Sequence, residues 1–284
     1  MEIKKVSVIG GGTMGNGIAH VFALKEFDVH LVEISSELAE KAVKNISANM
    51  DRQVKKGIIT QDAKDNAIGR ITKTIGIDLT PADSDIVIEA VYENKDAKLS
   101  IFNVLNGIVK PDSIFCSNTS SISITELASS CRPDKFIGMH FMNPVPIMKL
   151  VEIIRGYSTS DLTFNAIKDL AIKLEKVPVE VSDYPGFISN RILMPMINEA
   201  VFALMENVAS AEDIDTVMKL GMSHPMGPLT LADFIGLDVC LAIMEVLHEG
   251  FNDSKYRPCP LLKKMVAANK LGRKTGEGFF KYEY

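Results

Sequence analysis

Two groups of residues in this 284-residue chain have types and spacings that could do chemistry. The first is Gly10-x-Gly12-x-x-Gly15, with Gly11, Thr13 and Met14 completing the loop. A short β-branched run, Val6–Ile9, precedes it, and Ile18, Ala19, Phe22 and Ala23 follow at helical spacing. The next apolar run, Val29–Val32, ends on Glu33. A strand, a glycine loop, a helix and then an acidic residue closing the second strand together predict a dinucleotide site. Gly10 permits the tight turn, Gly12 lets the backbone approach a pyrophosphate, and Gly15 allows close helix–strand packing. The helix N-terminus offers N–H groups to the phosphates. Glu33 is expected to accept hydrogen bonds from the adenosine ribose. No arginine follows it in Ile34-Ser35-Ser36, so a 2′-phosphate would be repelled, which favours NAD over NADP.

The second group is His140 with Glu152. Each is expected at or near the C-terminal end of a strand run, Phe136–His140 and Leu150–Ile154, and that edge of an open parallel sheet faces the ligand crevice. A carboxylate that takes the Nδ1 proton of an imidazole fixes its tautomer, and Nε2 can then take or give a proton. Taken singly, either residue has an ordinary structural reading. Ser117-Asn118-Thr119-Ser120-Ser121 follows another strand end and could bind a nicotinamide or a reacting oxygen, although such clusters also cap helices and form turns. Arg52, Lys55 and Lys56 read either as a solvated helix face or as an anion site.

The elements that must hold these groups alternate in the first half of the chain. Strand runs fall at 6–9, 29–33, 70–75, 85–90, 114–117, 136–140, 150–154 and 177–181, with helical stripes between them. A helical hairpin over 36–69 is longer than a crossover needs and is expected to project from the sheet. After Tyr184-Pro185-Gly186 only helical stripes follow, at 187–207, 211–220, 229–248 and 261–269. The boundary is therefore placed at 184, giving domains 1–184 and 185–284. Composition sets the outer limits. A net charge of −5 and 24% charged residues describe an ordinary globular chain and argue against a nucleic-acid partner. No apolar run has the length of a membrane span. A strand run so near Met1 leaves no room for a leader. Four cysteines without CxxC pairs or metal-ligand spacing predict reduced thiols, no metal and a cytoplasmic location.

Further stretches extend the pattern: Val8–Gly15, Ser117–Ser121, His140-Phe141-Met142-Asn143-Pro144-Val145-Pro146, Pro185–Arg191, His224–Pro228 and Gly272–Phe279. In this order, over essentially the whole chain, they resemble the short-chain L-3-hydroxyacyl-CoA dehydrogenases. The resemblance implies an α/β fold: a Rossmann-type, doubly wound, mostly parallel sheet, then an all-α C-terminal domain that makes a homodimer or higher homo-oligomer and shares the substrate cleft. It implies NAD as cofactor, an acyl-CoA substrate, no membrane partner, and a role in fatty-acid and butanoate metabolism. Its catalytic pair falls on His140 and Glu152, its active-site serine on Ser120 and its active-site asparagine on Asn190. Cofactor contacts fall on Gly10–Gly15, Glu33, Glu93, Lys98, Ser120, Asn143 and Lys274. Coenzyme A contacts fall on Asn49, Lys56 and Ser120, with Arg52 nearby. Met142 stands where the family usually has phenylalanine, and Glu33 where aspartate is frequent. Two other readings are kept: a non-catalytic NAD-binding or sensing protein on this scaffold, and a dehydrogenase of a free 3-hydroxy acid.

Overall fold

The computed structural model describes residues 2–283. It divides into two compact units, Met1–Asp183 and Tyr184–Tyr284, the division falling one residue before the boundary read from the sequence.

The first unit is built on eight strands: β1 (Lys5–Ile9), β2 (Asp28–Glu33), β3 (Ile71–Ile75), β4 (Ile86–Glu89), β5 (Ile114–Ser117), β6 (Phe136–Phe141), β7 (Leu150–Arg155) and β8 (Val177–Ser182). They lie in the order β3-β2-β1-β4-β5-β6-β7-β8. Each neighbouring pair is parallel except β6 and β7, which are antiparallel, so β7 and β8 run against the other six. The order turns back on itself beside β1, and in an open α/β sheet the crevice forms at that switch point. The helices are α1 (Thr13–Leu24), α2 (Ser36–Lys55), α3 (Gln61–Gly69), α4 (Lys95–Ile108), α5 (Ile124–Ala128) and α6 (Asp161–Lys173). Central strands are mostly apolar, as expected of strands covered on both faces: Val6, Val8, Ile86, Ile88, Phe115 and Ile137 are fully buried.

Local chemistry sets the helix ends. The hydroxyl of Ser35 caps α2 by accepting from the Leu38 N–H. Thr60, Asn94, Ser123 and Ser160 cap α3, α4, α5 and α6 in the same way. The short α5 carries too few residues to register as a periodic stripe in the sequence.

The second unit holds α7 (Ser189–Met205), α8 (Ala211–Thr216), α9 (Pro228–Ile235), α10 (Leu237–Phe251) and α11 (Pro260–Ala267). Its core gathers Met194, Ile197, Val201, Leu229, Leu237, Met244, Leu247 and Leu262. The single stripe read over 229–248 is two helices, because Gly236 adopts φ +106° and breaks the backbone between them. Only glycine takes that conformation without steric cost.

Asp215, 2% exposed, ends α8 and caps α9: its carboxylate accepts from the N–H groups of Leu229 and Thr230 and from the Thr230 hydroxyl. Asp215→Ala removes that cap and strands two N–H groups. It should destabilise the chain by about 2–4 kcal/mol, read as a lower midpoint in chemical denaturation, whereas an exposed control such as Asp213→Ala should cost clearly less.

Candidate active site

The glycine loop behaves as its spacing requires. Gly10 takes φ +91° and donates its N–H to Val32 O at 2.9 Å, tying the turn to β2. A Cβ on Gly15 would lie 1.7 Å from Gly10 O, so helix and strand can close only over glycine. A Cβ on Gly12 would meet nothing within 4 Å. The space beside Gly12 is thus open to a ligand, and the first N–H groups of α1 point from the same turn. The Glu33 carboxylate takes the Gly11 N–H at 2.5 Å through Oε1 and the Ile34 N–H at 3.1 Å through Oε2. It is held at the loop with lone pairs left over for a ribose. This donor and acceptor set fits a dinucleotide.

Three adjoining cavities run from this loop along α2. One of about 210 Å3 is bounded by Gly11, Gly12, Thr13, Glu33 and Lys41. A second of about 310 Å3 shares Thr13 and Asn16 and adds Asn49, Arg52, Asn143 and Pro144. A third of about 330 Å3 shares Asn49 and Arg52 and adds His20, Lys56, Ile58 and Ile147. Asn143 and the hairpin positions therefore share walls with the cofactor loop. Asn49 accepts from Arg52 Nη1 at 2.8 Å, and Lys56 is exposed. The Asn143 turn is pinned from beneath by Lys176, whose ammonium donates to Val145 O and Met148 O. A larger cavity, about 580 Å3, lies at the start of β4 and β5 among Asp85, Lys110 and Ile114. That is the edge opposite the glycine loop, and none of the candidate residues lines it.

His140 and Glu152 sit directly across from one another in the β6–β7 pair, with Nδ1 and Oε2 2.9 Å apart and the residues 6% and 2% exposed. The expected position of Glu152 near the end of its strand needs correction. β7 runs antiparallel, so Glu152 is its third residue and lies toward its N-terminal end. The segment 142–149 is too short for a parallel crossover, which takes a dozen residues or more. The reversal brings the beginning of β7 to the same edge as the end of β6.

Lys98 and Glu93 meet the Ser117–Ser121 loop. Glu93 Oε1 accepts from Thr119 Oγ1 at 2.6 Å, the Ser120 N–H at 2.9 Å, and both the N–H and the hydroxyl of Ser121 at 3.1 Å. Burial alone would push its pKa up, but the Lys98 ammonium and these donors outweigh it and hold the carboxyl below its usual range. Lys98, 1% exposed, donates to Glu89 at 2.6 Å and lies 3.3 Å from Glu93. Asn118 accepts the Phe141 N–H at 2.9 Å, linking this loop to the strand that carries His140.

Asn190 and Lys274 belong to the second unit. Asn190, 8% exposed, is the second residue of α7, reached through positive φ at Gly186 and Phe187. Lys274 pairs with Asp238, and its segment is fastened by Asp233, whose carboxylate accepts the N–H groups of Phe279 and Phe280 and the Tyr282 hydroxyl.

Sequence reasoning did not single out Glu89 or Lys176 as site residues, and named Asn118 only as part of the Ser117–Ser121 stretch. Glu89 had a visible signal, an acidic residue closing the otherwise apolar run Ile86–Ile88. Lys176 had none, since its partners are backbone groups far away in sequence.

Comparison with known proteins agrees with this geometry. Residues 5–184 match the family model described as 3-hydroxyacyl-CoA dehydrogenase, NAD binding domain, and residues 186–282 match its C-terminal domain. The chain is 56% identical to a 3-hydroxybutyryl-CoA dehydrogenase of Bradyrhizobium diazoefficiens, over 99% of this chain and 96% of that one. It is 54% identical to a probable 3-hydroxybutyryl-CoA dehydrogenase of Bacillus subtilis, over 100% and 99%. The crystal structure of (S)-3-hydroxybutyryl-CoA dehydrogenase from Ralstonia eutropha superposes with a TM-score of 0.97 at 51% identity, covering both chains fully. With both halves matched in order and such relatives aligned end to end, the chain belongs to the 3-hydroxyacyl-CoA dehydrogenase family.

Proposed function

We propose that this protein interconverts (S)-3-hydroxybutyryl-CoA and acetoacetyl-CoA using NAD(H). The observation that carries the reading is the buried His140–Glu152 pair at 2.9 Å, on the sheet edge to which the glycine loop also belongs. When bound, the nicotinamide supplies the redox chemistry, taking up or returning a hydride at C3 of the substrate. The chain's own residues manage the proton and the charge. In oxidation His140 Nε2 removes the proton of the C3 hydroxyl, and in reduction it returns one. Glu152 holds Nδ1, keeps the ring in register and stabilises the imidazolium. Ser120 and Asn190 are assigned to hydrogen bonds with the reacting oxygen or the thioester carbonyl, where charge develops. Gly10–Gly15 and Glu33 receive the cofactor, with Glu93, Lys98, Asn143 and Lys274 around it. Asn49, Arg52 and Lys56 receive the coenzyme A phosphates.

The 1–184 domain is thus given cofactor binding, and the 185–284 domain self-association and a share in the substrate cleft. Exposed Val208, Leu220, Met222 and Phe234 support an apolar contact between copies. Among the described residues no helix is long and apolar enough to cross a membrane. Four free thiols accord with work in the cytoplasm.

An NADH absorbance assay with acetoacetyl-CoA against free acetoacetate tests the reading. Oxidation of NADH with the thioester and not with the free acid is expected; equal rates would favour the free-acid reading, and no turnover the non-catalytic one. In the same assay His140→Ala should lose ~10²–10⁴ in turnover while NADH still binds, as followed by nicotinamide fluorescence. Glu152→Gln should also slow turnover with the fold intact; a wild-type rate would leave Glu152 with no part in the chemistry. Arg52→Ala with Lys56→Ala should raise KM for acetoacetyl-CoA about tenfold and leave kcat nearly unchanged, since a phosphate contact serves ground and transition states alike. Acetoacetyl-pantetheine, which lacks the phosphates, should be handled equally by both proteins. Glu33→Ala should weaken NADH binding and relax the rejection of NADPH, measured as the ratio of kcat/KM for the two cofactors.

A further inference from the structure

Glu89 is the last residue of β4, 0% exposed, and two of its side-chain partners, Ser117 and Lys98, lead to the loop that carries Ser120. Its Oε2 accepts the Ser117 hydroxyl at 2.6 Å. That hydroxyl in turn accepts the Thr119 N–H at 3.2 Å. Its Oε1 accepts the Val91 N–H at 2.8 Å and the Lys98 ammonium at 2.6 Å. Lys98 lies 3.3 Å from Glu93 Oε2, and Glu93 Oε1 holds the N–H groups of Ser120 and Ser121. Two routes thus run from one buried carboxylate to the same five residues: Glu89–Ser117–Thr119, and Glu89–Lys98–Glu93–Ser120. The backbone closes the set, since Asn118 N–H donates to Glu89 O at 2.9 Å. An ion pair this deeply buried is weak ground for stability, because desolvation offsets the attraction. What it does supply is a fixed geometry for the loop.

We propose that Glu89 is a positioning residue for the reaction: through Ser117 on one side and the Lys98–Glu93 pair on the other, it sets the conformation of Ser117–Ser121 and so the place of Ser120. The proposal rests on the reading of Ser120 as a substrate and cofactor contact. It also gives Lys98 a task beyond any cofactor contact, the transmission of Glu89's charge to Glu93. Without Glu89 the Lys98 ammonium has only Glu93 as an acidic partner, and Glu93 is drawn from the loop N–H groups toward it.

Two variants test this. Glu89→Gln keeps the shape and removes the charge. Ser117→Ala cuts the hydroxyl route and leaves the ion pair whole. Each is compared with wild type for kcat and KM in acetoacetyl-CoA reduction, for thermal midpoint, and for amide hydrogen exchange by mass spectrometry. Glu89→Gln should lower kcat about tenfold or more, as sub-ångström misplacement of a reacting group does. KM for the thioester should stay within about twofold, because its phosphate contacts lie on the hairpin. Exchange should rise over 117–122 and not over 45–56. Ser117→Ala should lower kcat by a smaller factor, about threefold, at an unchanged thermal midpoint. A lower thermal midpoint with wild-type kcat and unchanged loop exchange would reduce Glu89 to a structural ion pair and overturn the proposal. If Glu89→Gln does not fold, Ser117→Ala decides: wild-type kcat and loop exchange overturn it. A wild type inert toward acetoacetyl-CoA would refute the proposed function instead, and the exchange contrast would still decide whether Glu89 orders the loop.

Discussion

Because β7 runs against β6, Glu152 meets His140 inside the sheet rather than across a loop. In an antiparallel pair, residues directly opposite bring their Cβ atoms to about 5 Å, the reach a glutamate needs to take an imidazole proton. A parallel neighbour would have required a helical crossover and put a different strand end beside His140. Both side chains are almost fully removed from water, so their hydrogen bond acts in a medium of low dielectric and holds the ring firmly. The rest of the first unit keeps this pair beside the ligand crevice. β4, β5 and β6 end at one edge, and the loops leaving them carry Glu93, Ser120 and Asn143.

Charge at that edge is distributed with economy. Of the two carboxylates nearest Lys98, Glu89 is pushed above the ordinary range by burial, while Glu93 is drawn below it by Lys98 and four donors. The two acids therefore have different jobs although they share one lysine. The deep one is an anchor, and the shallower one is an acceptor for the turn above it. In the second unit, too, buried acids serve as acceptors for backbone N–H groups: Asp215 caps α9 and Asp233 fastens the tail that carries Lys274.

Much of this was legible in the sequence for identifiable reasons. Gly10 and Gly15 announced their roles because a positive φ and a close helix–strand approach both demand glycine, while Gly12 was marked by the spacing of the motif. A helix start such as that of α3 at Thr60 is a local matter, because capping acts within three residues. The His140–Glu152 pair could be suspected from residue types, yet the strand's own composition does not give the direction of β7; the signal lay in the short 142–149 connection, because direction depends on the length and path of the connection. The stripe over 229–248 hid a break at Gly236, since periodicity persists across a kink. The contacts made by Asn118 and Lys176 were invisible for a related reason. Each satisfies backbone groups of a distant segment, and backbone groups leave no trace in residue identity.

The seclusion of Lys98 has a chemical consequence. Thioesters acylate amines, and a protein that binds them repeatedly exposes its own lysines to that side reaction. At 1% exposure, with its ammonium directed at Glu89, Lys98 offers no accessible lone pair to an activated acyl group. Lys56, at the surface of the hairpin, has no such shelter. The fold thereby keeps Lys98 out of reach of an activated acyl group and leaves chemical wear to fall on lysines at the surface.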